Sequence, residues 1–151
     1  METLYPDCKD RNSLGSGKGY EQFVSKVFKE KFGIPIDVYS SVKDQFNIGE
    51  SRQGFEIKLD RRISGINGTG NLSIEVAEKS KASNSQFVPS GIFRDDNTWL
   101  YIQGNYDVIF VFVKKVLQEL SRNYVIDTYP TIKRFLLPIV EAERYAMKLE
   151  C

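Results

Sequence analysis

Hydrophobic and polar positions divide the chain into one long helical segment followed by several extended ones. The stretch YEQFVSKVFKEKFG carries apolar residues at helical spacing and ends in a glycine, which predicts a helix from Tyr20 to Gly33. Apolar and polar residues alternate, or apolar residues run on, in later stretches of strand length. The predicted strands cover residues 34–42, 45–50, 55–62, 72–80, 98–104 and 106–113.

The strands 45–50 and 55–62 are separated by a short turn, SRQG, so the pattern predicts that they form a hairpin. Helical spacing returns at 114–123 and in a proline-interrupted tail, 131–151, while 1–18 is a polar, glycine-rich lead-in predicted to be flexible. A chain of 151 residues is one domain by size. The order of elements predicts an α/β (α+β) fold, with a mixed sheet flanked by helices in a single domain 1–151.

The strand 55–62 has one apolar face and one charged face. Glu56, Lys58 and Asp60 alternate along it, so their side chains leave the same face, and the residues between them are apolar. Glu50 comes just before the turn. The charged face has two interpretations: an ordinary solvated sheet surface with weak ion pairs, or a place where acids and a lysine are gathered for chemistry.

Composition narrows the chemistry that this face can perform. The chain has no histidine, which excludes the usual serine–histidine and cysteine–histidine triads and histidine-ligated zinc. The net charge of +1 gives no overall attraction to nucleic acid, although a local basic patch remains compatible with it. Two cysteines, Cys8 and Cys151, indicate neither a disulfide scaffold nor a zinc site. Without an apolar run of membrane-span length or a signal peptide, the sequence predicts a cytoplasmic protein with no membrane partner.

Carboxylates and lysines remain as the reactive groups. Two carboxylates on adjacent strands can share a Mg²⁺ ion, which prefers oxygen ligands and keeps several of its waters. A lysine beside them can orient an attacking water and offset charge on a phosphate. Glu50, Glu56 and Lys58 provide these parts for phosphodiester hydrolysis.

The sequences IGE and EIK, which contain Glu50, Glu56 and Lys58, resemble the PD-(D/E)xK nuclease superfamily. In that superfamily an acid on one strand is followed by acid-x-lysine on the next, and the short separation here is similar to the compact hairpin of mismatch-repair nicking endonucleases. The resemblance covers about residues 19–80 and implies a restriction-endonuclease-like fold and a DNA endonuclease dependent on Mg²⁺ or Mn²⁺. It implies that Glu50 and Glu56 bind metal, that Lys58 orients water, and that the helix residue Glu21 assists.

The usual PD pair is absent, and a second register remains open because the chain after EIK runs through a loop into another strand, LSIEVAEKS. In it, Asp60 and Glu75 are the two acids, or they supply extra metal ligands. Basic residues near the motif are expected to hold the DNA backbone. They are Lys18, Arg61, Arg62, Lys79, Lys81 and Arg94. Duplex cleavage would need a homodimer, whereas one site would nick. The alternatives to an enzyme are a non-catalytic module that binds nucleic acid or protein on the same fold, and a structural or inhibitor protein.

Overall fold

The computed structural model describes residues 17–63 and 68–150, which form helices and short strands in an α+β arrangement. The helices are α1 (Gly17–Phe32), α2 (Val42–Asn47), α3 (Lys114–Leu120) and α4 (Ile139–Tyr145). The strands are β1 (Phe55–Leu59), β2 (Asn71–Glu78), β3 (Val88–Pro89), β4 (Leu100–Gly104), β5 (Val108–Val113), β6 (Asp127–Thr128), β7 (Ile132–Pro138) and β8 (Met147–Glu150). Short 3-10 turns follow β3 and α3.

The described strands make two sheets of four strands each. Sheet 1 has the order β1-β4-β5-β8 and is mixed, because β1 runs parallel to β4 while the other pairs are antiparallel. Sheet 2 has the order β3-β2-β7-β6 and is antiparallel. The predicted α+β class with a mixed sheet and flanking helices is therefore confirmed.

Two apolar clusters cover the opposite faces of sheet 1. Along β5, Ile109 and Val111 join the cluster formed with α1, whereas Phe110 and Phe112 join the cluster formed with sheet 2 and α3. On β1, Phe55 and Ile57 are buried in the α1 cluster. The polar face of β1 is thereby directed to the side of sheet 1 on which sheet 2 lies, as the alternation in the sequence predicts.

The predicted hairpin between 45–50 and 55–62 is wrong. Residues 42–47 form α2, whose start is capped by the Ser41 hydroxyl accepting from the Asp44 amide. The strand predicted over 34–42 is reduced to one bridge between Val38 and Ser51. Phe55–Leu59 forms its ladder in parallel with Leu100–Gly104, far along the chain. A short turn favours pairing of the two segments that it joins. Here β1 pairs with β4 instead, because this pairing buries β1.

The predicted helical tail 131–151 is wrong for most of its length. Ile132–Pro138 pairs with β2, and Met147–Glu150 pairs with β5, which leaves the helix to Ile139–Tyr145. Pro138 stands where the strand ends and the helix begins. The predicted lead-in 1–18 lies mostly outside the described residues, although Gly17 and Lys18 already belong to α1. Among the described helices, none is long and apolar enough to cross a membrane.

Candidate active site

Glu50 lies at the open edge of sheet 1. β1 is an end strand of this sheet, and the Ile57 amide, on the side away from β4, donates to the Glu50 carboxylate. Backbone bonds from Tyr39 to the Glu50 carbonyl (2.9 Å) and from Arg52 to the Asp37 carbonyl (2.9 Å) hold the segment that carries this residue. Unpaired backbone donors at a sheet edge need a partner, and here the partner is a reactive carboxylate.

The turn between Glu50 and β1 is held by a segment from before β4. The Asn97 side chain donates to the Ser51 carbonyl (2.8 Å), and the Trp99 indole donates to the Gln53 carbonyl (2.8 Å). Gly54 has φ +74°, and a Cβ there would come 2.6 Å from the Asn97 carbonyl oxygen. Glycine is required at this position both for its backbone conformation and for the close approach. The sequence GESRQG therefore positions Glu50 with a glycine on each side of the turn.

Glu21, on α1, also contacts the Glu50 carboxylate. The two side chains are hydrogen-bonded, and burial together with this contact raises the pKa of Glu50 to about 9, with further contributions from the charges of Glu21 and Glu56. Glu50 consequently keeps its proton at neutral pH, since a buried carboxylate beside a second carboxylate ionises only at high cost. Glu21, the helix acid predicted to assist, thus contacts Glu50, and its part in catalysis stays a prediction.

Glu56 and Lys58 form an ion pair on the polar face of β1. The Lys58 ammonium lies 3.5 Å from Glu56 Oε1, and the lysine side chain is 42% exposed whereas that of Glu56 is 8% exposed. Burial raises the pKa of Glu56, and Lys58 only partly offsets this. Burial lowers the pKa of Lys58, but the charges of Glu56, Glu75 and Glu50 outweigh it and leave the pKa above its usual value. Lys58 is therefore a cation at neutral pH.

The simple picture of a solvated charged face does not describe β1. Glu56 is 6% exposed and Asp60 is 9% exposed. The second oxygen of Glu56, Oε2, is buried and has no hydrogen-bond partner within the described ranges 17–63 and 68–150. A buried carboxylate oxygen without a partner is costly, so a water, an ion or a ligand at this position would be stabilising.

Asp96 and Lys114 are neighbours of this pair that the sequence analysis missed. The buried Lys114 ammonium lies 3.2 Å from Asp96 Oδ1 and 2.6 Å from the Arg94 carbonyl. Asp96 raises and Lys114 lowers the pKa of Glu56. Tyr101 of β4 is paired with Glu56 in sheet 1 and is fully buried. Burial, and next the charge of Glu56, raise the pKa of Tyr101 well above 10. No periodic pattern in the sequence indicates Asp96. It lies in the segment before β4, and the long-range contact of Trp99 with the turn holds that segment beside the site.

Asp60 and Glu75, the acids of the second register, have different surroundings. The Asp60 carboxylate accepts from the Ser73 amide (2.8 Å), the Gln103 side-chain amide (2.9 Å) and the Arg62 amide (3.2 Å). These bonds tie the end of β1 to β2 and β4. Glu75 is half-buried on β2, and its charge contributes to raising the pKa of Lys58.

The basic residues expected to hold DNA are spread over several places. Arg61 and Arg62 are exposed and line a cleft of about 700 Å³ that also contains Lys58 and Glu75. Lys18 lines a separate cleft of about 650 Å³ next to Glu21. The other three lie elsewhere. Lys79 donates to the Asn84 carbonyl (2.9 Å), Lys81 is exposed in the loop after β2, and Arg94 donates to the Phe46 carbonyl (3.0 Å), which holds α2.

Carboxylate oxygens such as those of Glu50 and Glu56 are the ligand type that a hard divalent cation prefers. Within the described part of the chain, no three histidine, cysteine, aspartate or glutamate side chains converge as a complete ligand set. Mg²⁺ is usually held by one or two carboxylates and keeps its waters, so a complete set of protein ligands is not required. Glu50 and the unpartnered oxygen of Glu56 are the oxygen donors that could hold such an ion. A cation there would also replace the proton that Glu50 keeps at neutral pH.

This chain was compared with known protein families, curated proteins and solved structures. A scan against family models, a search of curated proteins and a search of solved structures find no match to this chain. The functional interpretation consequently depends on the residues of the site themselves.

Proposed function

We propose that this chain is a metal-dependent DNA endonuclease that hydrolyses phosphodiester bonds, with Mg²⁺ or Mn²⁺ as the cofactor. The observation that carries the proposal is the contact of Glu21 with the Glu50 carboxylate at the open edge of β1, near the ion pair in which the Lys58 ammonium lies 3.5 Å from Glu56. A purely structural cluster would balance its buried acids with more cations or hydrogen-bond donors. This one leaves Glu50 protonated in contact with a second acid, and leaves a buried oxygen of Glu56 without a partner among the described residues.

Each residue has a distinct role in this proposal. Glu50 and Glu56 would hold the cation, and Glu21, which contacts Glu50, would orient that carboxylate. The bound cation supplies Lewis-acid stabilisation of charge on the phosphate and lowers the pKa of its waters. Lys58, a partly exposed cation, orients the attacking water and offsets negative charge that develops on the phosphate. Because its pKa is raised, Lys58 is protonated in the metal-free protein.

Cleavage of supercoiled plasmid by the purified protein tests the proposal. We expect nicked and then linear DNA in Mg²⁺ or Mn²⁺, and no cleavage in excess chelator. Nicking before linearisation is expected if one chain carries one site, whereas direct linearisation would indicate a homodimer. The absence of cleavage from plasmid, branched and single-stranded DNA in either metal would contradict the proposal. It would favour instead a non-catalytic module that binds nucleic acid or protein through the same charged surface.

A further inference from the structure

A polar cleft lies beside the proposed catalytic residues, and it shares Lys58 with them. Its volume is about 700 Å³, and residues of both sheets line it, from the end of β1 to the turn between β6 and β7. A cleft of this size, within the range of roughly 300–1,000 Å³ usual for organic ligands, admits one or two nucleotides but not a double helix. We call it the inter-sheet cleft.

The charge of the inter-sheet cleft suits a phosphate backbone. Four cations line it, namely Lys58, Arg61, Arg62 and Arg134, against two acids, Asp60 and Glu75. The carboxylate of Asp60 is already occupied by backbone and side-chain amides. None of the three arginines belongs to an ion pair among residues 17–63 and 68–150. Their charge is thus available to a ligand that carries phosphates.

Tyr129 gives the same cleft an aromatic surface that is held in place. Its ring is 46% exposed, and the Arg134 guanidinium lies 4.6 Å from the ring centroid. The guanidinium donates to the Tyr129 hydroxyl (2.6 Å) and to the Ser73 hydroxyl (2.8 Å), and the Tyr129 amide donates to the Ile132 carbonyl (2.8 Å) across the turn. A fixed, exposed ring next to arginines is the combination on which unpaired bases stack while their phosphates are neutralised.

We propose that the inter-sheet cleft binds a single-stranded segment of the DNA substrate next to the scissile phosphate, with a base stacked on Tyr129 and the backbone held by Arg61, Arg62 and Arg134. This proposal rests on the proposed nuclease function for the identity of the substrate. It adds that the substrate has an unpaired strand at the site of cleavage, as at a flap, a gap or a locally melted duplex. Lys58 lines the inter-sheet cleft and also pairs with Glu56, so it connects this single-strand binding site (the strand site) with the proposed catalytic carboxylates.

Binding without cleavage tests the strand site separately from catalysis. The probe is a fluorescein-labelled oligo(dT) of about 12 nucleotides, a length within the range that small single-strand sites cover. Its fluorescence anisotropy is measured in chelator and compared with that of a duplex hairpin of equal nucleotide number. We expect the wild-type protein to bind oligo(dT) at least about tenfold more tightly than the hairpin.

Tyr145 provides a matched control for Tyr129. It is 44% exposed, and Arg144 lies over its ring at 5.9 Å, but it belongs to α4 and does not line the cleft. Tyr129→Ala should weaken oligo(dT) binding by about tenfold, whereas Tyr145→Ala should leave it unchanged. Tyr129→Phe keeps the ring without the hydroxyl and should bind like the wild-type protein, which separates stacking from damage to the turn.

Two results would overturn the strand site: equal binding of the duplex and oligo(dT), or equal effects of Tyr129→Ala and Tyr145→Ala. If metal-dependent cleavage occurs in that case, the nuclease proposal survives and the strand site does not. If the expected binding pattern appears but no DNA is cleaved in any metal, the strand site stands and the nuclease proposal fails.

Discussion

Lys58→Met is expected to reduce metal-dependent DNA cleavage by at least about 100-fold, the size of effect seen when one group that stabilises developing charge is removed. The lysine is the partly exposed cation of the cluster, and its ammonium lies 3.5 Å from Glu56. Methionine keeps most of the length of the side chain and can lie along the same surface without the charge. The substitution therefore removes the group that orients water while the strand remains in place.

Lys115→Met is the control for this loss. Lys115 is exposed on α3 and does not line the inter-sheet cleft, so its replacement removes one positive charge without touching the site. Initial rates of plasmid nicking in Mg²⁺ should be similar for Lys115→Met and the wild-type protein. Circular dichroism at the assay temperature checks that Lys58→Met is folded. Full activity in a folded Lys58→Met variant would remove Lys58 from the mechanism.

Glu50→Gln is expected to make the metal-free protein more stable at pH 8, by roughly 2–4 kcal/mol, while changing its stability much less at pH 5. Folding raises the pKa of Glu50 from 4.5 to about 9, so the folded state keeps a proton that the unfolded state releases. The stability that this proton gives is fully present below pH 4.5 and is lost as pH rises towards about 9. Glutamine resembles the protonated acid and has no such loss: its amide can donate to Glu21, and its oxygen can accept from Ile57.

Urea unfolding of both proteins in chelator, at pH 5, 6, 7 and 8, measures this difference. The gap in the free energy of unfolding should widen with each step of pH. Glu30→Gln, an exposed substitution on the same helix as Glu21, should follow the wild-type protein across the range. A gap that is constant with pH would show that Glu50 is ionised in the folded protein without metal, contrary to its proposed contact with Glu21.

The strands β2 and β5 and the two faces of β1 could be predicted from the local pattern of apolar and polar residues. The alternation of Leu72, Ile74 and Val76 is strong enough to define β2, and the nearly continuous apolar run of β5 fits a strand with both faces covered. The faces of β1 also follow from alternation, because Phe55 and Ile57 need the α1 cluster. These features depend on neighbours within a few residues.

Strand pairing and the shape of the site depend on contacts that are distant in sequence. The turn SRQG suggests a hairpin, but β1 pairs with β4, and Glu50 reaches the strand by accepting from the Ile57 amide at the sheet edge. In the C-terminal region the segment IKRFLLP is apolar enough for a helix or a strand, and only the free edge of β2 makes it a strand. Asp96 enters the site because Trp99 is bonded to the turn at Gln53, a contact that no local pattern encodes.

Calorimetric titration of Mn²⁺ tests most directly whether Glu50 and Glu56 bind a divalent cation. The measurement compares the wild-type protein, Glu56→Gln and the exposed control Glu30→Gln at pH 8. We expect saturable binding to the wild-type and control proteins, and binding to Glu56→Gln that is weaker by at least about tenfold. Absence of saturable binding to the wild-type protein, or equal affinity in Glu56→Gln, would contradict this expectation.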